Sequence, residues 1–166
     1  MKQLLPYRIL SFVLLPIAAL LSIMILLMLF MTLANPAVLL PLFMIACVVI
    51  YVIATFVFLQ KGIDQNKICK SSLRDWIRVN AIVSIIFSVL CFTQSIGLLN
   101  SPQLLKEQIA QVAIKQPNFP VGSEAMLAKG IKGTLYFMLI FSGILLIHII
   151  YTFRILKVYK HFFSEK

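Results

Sequence analysis

Apolar positions along this chain fall into four long runs, unlike the short alternations of strands or the narrow stripes of helices that face water. The runs cover approximately 9–34, 37–59, 77–99 and 134–151, each close to or beyond the ~20 apolar residues that cross a bilayer. They predict an all-α, polytopic integral membrane protein, organised as one four-transmembrane-helix bundle over 1–166. Between and after the runs come a loop at 60–76, a longer loop at 100–133 and a basic tail at 152–166.

The third run carries a finer pattern. Ala81, Ser84, Ser88, Cys91 and Ser95 recur at steps of three and four, giving one small and weakly polar helix face. Lipid supplies little hydrophobic drive between helices, so a stripe of this kind predicts close helix packing with exchange of hydrogen bonds. On the second run Cys47, Tyr51 and Thr55 share a side, with small Ala46 and Ala54 next to it, and this face is expected to pack on the stripe.

Punctuation between the runs predicts the connections. Asn35-Pro36 reads as an N-cap followed by a first-turn proline, which makes a tight hairpin of the first two spans. Pro16 lies inside the first span and Pro41 near the start of the second, where they bend a helix or occupy its loosened turn. Gly62 stands where a helix C-terminus is expected, and Ser72 with Asp75 forms an S-x-x-D cap signal just before Trp76, a residue that favours the headgroup layer. In the long loop, Ser101-Pro102 opens a short amphipathic helix whose Leu104, Leu105, Ile109, Val112 and Ala113 repeat at helical spacing. Pro117 and Pro120 end it, and the loop is a candidate cap or contact surface.

Composition agrees with lipid as the solvent: the 166 residues are 61% hydrophobic and 12% charged, with a mean hydropathy of +1.02. The net charge of +10 would suggest nucleic acid for a soluble chain, but here it reads as topology and nucleic acid is not an expected partner. Lys2 and Arg8, the loop residues Lys61, Lys67, Lys70, Arg74 and Arg78, and the tail residues Arg154, Lys157, Lys160 and Lys166 fall on one side. Lys106, Lys115, Lys129 and Lys132 fall on the other. The positive-inside rule therefore places both termini in the cytoplasm, in a plasma or inner membrane. The loop and tail cations are candidates for contact with anionic headgroups, each contributing about 1 kcal/mol near the surface. In the tail, Arg154, Lys157 and His161 lie on one side of a continuing helix and Ile155, Val158 and Phe162 on another, which predicts a basic extension along the inner surface. The first run is too long for a signal-peptide core and is expected to stay attached, although Thr32-Leu33-Ala34 offers an ending a peptidase could accept.

Candidate chemistry is sparse. His148 is the only ionisable side chain well within a run, with Thr152 one turn on, and an intramembrane ionisable group is a functional hypothesis by default. It can carry a proton, ligate a metal, or bond as a neutral imidazole to a hydroxyl or carbonyl, the last being the plainest reading. Asn80 and Gln94 are the amides of the third span, suited to bonds across helices or to a polar path. Met24, Met28 and Met31 share a face, but packing explains them better than copper, because no His or Cys cluster stands beside them. Cys69 sits between Lys67 and Lys70, either as a free thiol or as a lipidation site. The five carboxylates lie outside the apolar runs with no catalytic motif, so no catalytic, cofactor or metal residues are assigned. The leading expectation is a non-catalytic accessory, assembly or interaction component with a membrane-protein partner or a second copy of itself. The alternative is a subunit of an oligomeric small-solute or ion transporter or channel, and a membrane enzyme ranks third.

Overall fold

The computed structural model describes residues 4–32, 35–114 and 124–163, and the regular elements among them are helical. They are α1 (Leu4–Thr32), α2 (Leu39–Val57), α3 (Ser71–Asn100), α4 (Pro102–Ile114) and α5 (Glu124–Val158). A 3-10 turn, Pro36–Val38, leads into α2, a π-helical segment, Phe58–Asp64, continues it, and a second 3-10 turn, Lys160–Phe162, follows α5. Four stretches are long and apolar enough to cross a membrane: Leu4–Phe30, Pro36–Asp64, Ser71–Asn100 and Ala125–Val158.

Each of these helices outlasts the apolar run that foretold it. Hydropathy marks the part lipid can cover, whereas helical hydrogen bonding continues through polar residues with good propensity. Thus α5 begins at Glu124 and takes in Lys129 and Lys132 before its apolar stretch. Helix α3 opens at Ser71, which leaves Ser72 inside the first turn and Asp75 beside Arg74, with Oδ1 3.8 Å from its Nε. The cap at Asn35 is as expected: its Oδ1 accepts from the Ala37 N–H at 3.1 Å, with Pro36 in the first turn. Pro41 falls in the first turn of α2, where its missing N–H is not required. The proline pair Pro117 and Pro120 lies outside the described residues.

The chain divides into two compact units, Met1–Phe87 with Ile144–Lys166, and Ser88–Gly143. In the first, α1 and α2 run antiparallel: Tyr7 reaches Thr55, Phe12 packs edge-on against Phe56 with centroids 5.5 Å apart, and Arg8 pairs with Asp64. Its interior mixes apolar groups such as Leu14, Val48 and Leu145 with Ser11, Thr55, His148 and Thr152, while Leu20, Phe30, Leu40 and Val79 face outward. Polar groups inside and apolar ones outside suit a lipid solvent. In the second unit, Leu105 of α4 is buried and Ile109 and Val112 are half-buried, with Lys106, Glu107 and Gln111 exposed. Ser88, Ser95, Phe141 and Ser142 are also buried there.

The loop after α2 and the end of the chain are tied together. Asn66 adopts a left-handed backbone (φ 51°), turning the chain out of the π-helical segment. The Cys69 N–H donates to the Phe162 carbonyl at 2.7 Å, and Phe163 stacks on Phe58 with centroids 4.9 Å apart. Helix α5 thus continues past its apolar stretch, but it stops at Val158, and the following turn folds Phe162 and Phe163 back onto the protein.

Candidate functional site

Three helices of the first unit each contribute a ring followed four residues later by a hydroxyl: Tyr7 and Ser11 on α1, Tyr51 and Thr55 on α2, His148 and Thr152 on α5. Four residues is about one turn, so ring and hydroxyl lie one above the other on each helix. All three hydroxyls donate back to the carbonyl of their own ring residue: Ser11 to Tyr7 at 2.8 Å, Thr55 to Tyr51 at 2.9 Å, Thr152 to His148 at 2.9 Å. The six side chains meet in one buried cluster, each no more than 1% exposed.

His148 is its centre. The imidazole Nε2 lies 2.9 Å from Ser11 Oγ and Nδ1 lies 2.8 Å from the Tyr51 hydroxyl, which is also 2.8 Å from Thr152 Oγ1. The Tyr7 ring stacks nearly parallel on the imidazole (9°, centroids 5.0 Å apart) and the Tyr51 ring meets it edge-on. The Tyr7 hydroxyl donates to the Thr55 carbonyl at 3.3 Å.

Counting protons limits these bonds to a few complete sets. With the proton of Ser11 kept on the Tyr7 carbonyl, its oxygen accepts and His148 Nε2 donates; with that proton turned to Nε2, Nδ1 donates to Tyr51 and Thr152 keeps its own back-bond. Tyr51 has one proton and two neighbours. In the neutral state with Nε2 protonated it donates to Nδ1, and Thr152 turns its proton to the Tyr51 oxygen. If Nδ1 is protonated, Nδ1–H donates to the Tyr51 oxygen, Tyr51 donates to Thr152, and Thr152 keeps its bond to the His148 carbonyl. Rotating two hydroxyls therefore converts one complete assignment into the other.

Of the polar residues singled out in the sequence, His148 and Thr152 belong to this cluster and Asn80 and Gln94 do not. Asn80 donates to the carbonyl of Trp76 on its own helix at 2.8 Å and lines a 420 Å³ cavity with Phe43, Cys47 and Trp76. Gln94 is exposed. Of the small stripe, Ala81 and Ser84 are buried in the first unit, Ser88 and Ser95 are buried in the second, and Cys91 is half-buried. Tyr51 and Thr55 turn to α1 and α5, while Cys47 faces the α3 side of that cavity. Lys61, Lys67, Lys70, Arg78, Arg154, Lys157 and Lys160 are exposed. Arg74 instead lays its guanidinium over the Phe163 ring, 5.9 Å from the centroid, with Nε buried. Cys69 is buried, its thiol 3.8 Å from the Lys67 carbonyl oxygen, and burial pushes its pKa above the ordinary thiol value, partly opposed by nearby Lys61.

Tyr7 and Ser11 were the residues that hydropathy overlooked, because Tyr7 precedes the first apolar run. The signal that finds them is the recurrence of a ring and a hydroxyl four residues apart on three helices. Among the described residues, no three His, Cys, Asp or Glu side chains are grouped to hold a metal ion. No protein-family model, curated protein or solved structure matches the chain.

Proposed function

We propose that this chain is a non-catalytic membrane component, an accessory, assembly or interaction subunit, in which His148 is a structural joint and the outward surfaces make the functional contacts. The observation that supports this reading is that both ring nitrogens of His148 are engaged by Ser11 and Tyr51 inside a cluster that is almost wholly buried. An imidazole so engaged joins three helices and offers no free valence to a substrate. In this reading four spans cross a plasma or inner membrane with both termini in the cytoplasm, α4 lies at the outer face, and a membrane-protein partner or second copy docks on lipid-exposed surface.

Native mass spectrometry of protein gently extracted from its own membrane tests the proposal. A stoichiometric complex with a different membrane protein is expected, together with proteoliposomes whose ion flux does not respond to His148→Leu. A closed homo-oligomer with flux that disappears in that variant would refute the accessory reading. It would establish the second one, a transporter or channel subunit, which is favoured by the ability of the cluster to accommodate a proton on His148 with every partner rearranged and none lost.

A further inference from the structure

The loop from α2 to α3 borders another cavity, of 540 Å³, lined by Lys61, Lys67 and Lys70 together with Gln65, Ser72 and Trp76. This volume lies within the range of about 300–1,000 Å³ that small-molecule sites occupy. Its lining includes no carboxylate among the described residues. The two acidic groups nearest in sequence are engaged elsewhere, Asp64 with Arg8 and Asp75 with Arg74. None of the three lysines has an ion-pair partner among the described residues.

The lysines are carried on an organised backbone. The Lys67 N–H donates to the Lys61 carbonyl at 3.0 Å, Asn66 supplies the left-handed turn between the π-helical segment and Lys67, and the Cys69 N–H is tied to Phe162. Three like charges on residues that border one cavity repel one another, and a bound anion reverses the sign of that interaction. Lysine binds phosphate as a point charge, and Gln65 and Ser72 add neutral donors to the same wall. Ile68 and Trp76, which also line the cavity, are 75% and 57% exposed, so apolar surface stands beside the cations at the ends of two candidate spans. Cationic lining with flanking apolar surface suits a ligand that is phosphate at one end and hydrocarbon at the other.

We infer that this cavity is a stoichiometric site for the phosphate headgroup of an anionic membrane lipid, distinct from the diffuse attraction of a polybasic surface. The inference rests on the reading of the apolar helices as membrane spans and is independent of the accessory role.

The test is native mass spectrometry of the full chain in mild detergent, titrated with phosphatidylglycerol, with phosphatidylcholine of the same acyl chains, and with glycerol 3-phosphate. One equivalent of phosphatidylglycerol is expected to bind in preference to phosphatidylcholine. About fivefold per lysine predicts a loss on the order of 100-fold in Lys61→Gln/Lys67→Gln/Lys70→Gln, with affinity retained when the three become Arg. Lys129→Gln/Lys132→Gln, on exposed cations of α5 that do not line the cavity, should change binding by less than about threefold. Unaltered phosphatidylglycerol binding in the triple Gln variant, or equal binding of phosphatidylcholine, overturns the site. Glycerol 3-phosphate binding as tightly as the lipid overturns the lipid source and identifies a soluble phosphate ligand. The three lysines are exposed, so the triple variant should keep the parental elution profile; if it does not, the single Gln variants decide, with about fivefold expected from each and no change refuting the site.

Discussion

Tyr51→Phe removes one oxygen from the centre of the cluster and leaves ring volume almost unchanged. That oxygen lies 2.8 Å from both His148 Nδ1 and Thr152 Oγ1. After its loss Thr152 turns its proton back to the His148 carbonyl, and Ser11 still accepts from Nε2. The one group left without a partner is Nδ1, a buried acceptor. An orphaned buried acceptor costs about 1–3 kcal/mol, and side-chain bonds between membrane helices run at ~0.6–2 kcal/mol. The expected destabilisation is therefore about 1–2 kcal/mol. In a His148→Leu background Nδ1 no longer exists, and Tyr51→Phe forfeits only the contact with Thr152, at about 0.6 kcal/mol. The two substitutions should consequently be non-additive by about 0.5–1.5 kcal/mol in a double-mutant cycle, read by reversible unfolding of the purified protein in mixed micelles. Additivity within about 0.3 kcal/mol would mean that Tyr51 and His148 are not coupled, and the proton assignment at the centre of the cluster would be wrong.

Other consequences can be measured independently. A Cβ on Gly62 would sit 2.9 Å from two ring carbons of Phe58, itself fully buried and stacked on Phe163. Overpacking costs about 1–3 kcal/mol and the helical gain of Ala over Gly returns about 0.5–1 kcal/mol. Gly62→Ala should therefore lower stability by about 1–2 kcal/mol, and an unchanged or raised thermal midpoint would refute that close approach. Nitrogen NMR of neutral His148 should find Nε2 protonated and Nδ1 bare, and the opposite tautomer would contradict the donation to Ser11. Burial raises the Cys69 thiol pKa, so the thiolate fraction at neutral pH falls below that of a free cysteine and recovers only as pH rises past the raised value. Maleimide should label Cys69 at least about tenfold more slowly than a cysteine placed at exposed Ile68, with the gap narrowing at alkaline pH. Equal rates would show that the thiol is accessible. Ile68→Cys is then the better reporter of the loop's accessibility.

Architecture was legible because apolar run length and helix punctuation act locally. Asn35 caps its helix through an atom two residues from the N–H it accepts, and no distant contact is needed for that. The helical spacing around Leu105 likewise falls on a helix, Pro102–Ile114, in which Leu105 is buried and Ile109 and Val112 are half-buried. What was not legible depends on pairing across the sequence. Ser11 meets His148 across 137 positions and Cys69 meets Phe162 across the whole of α3, α4 and α5. Arg74, by charge alone a headgroup contact, is drawn onto Phe163 because the chain end folds back beside it. The apolar positions of the tail call for burial against something, and the isolated bridge between Cys69 and Phe163 identifies the loop after α2 as what Phe163 meets.

The threefold recurrence of a ring and a back-bonded hydroxyl has a physical logic that one site alone would not reveal. A hydroxyl that donates to the carbonyl one turn before it has already placed its only proton, and it presents an acceptor to the rest of the cluster. The rings supply the donors that answer: His148 Nε2–H to Ser11, the Tyr51 hydroxyl to Nδ1 or Thr152, and the Tyr7 hydroxyl to the Thr55 carbonyl. In a lipid solvent each helix would enter with the proton of its serine or threonine hydroxyl already bonded within the helix, before any partner arrives. Assembly then requires only that ring donors find acceptors, and the imidazole, which can both donate and accept, is suited to the position where all three helices meet.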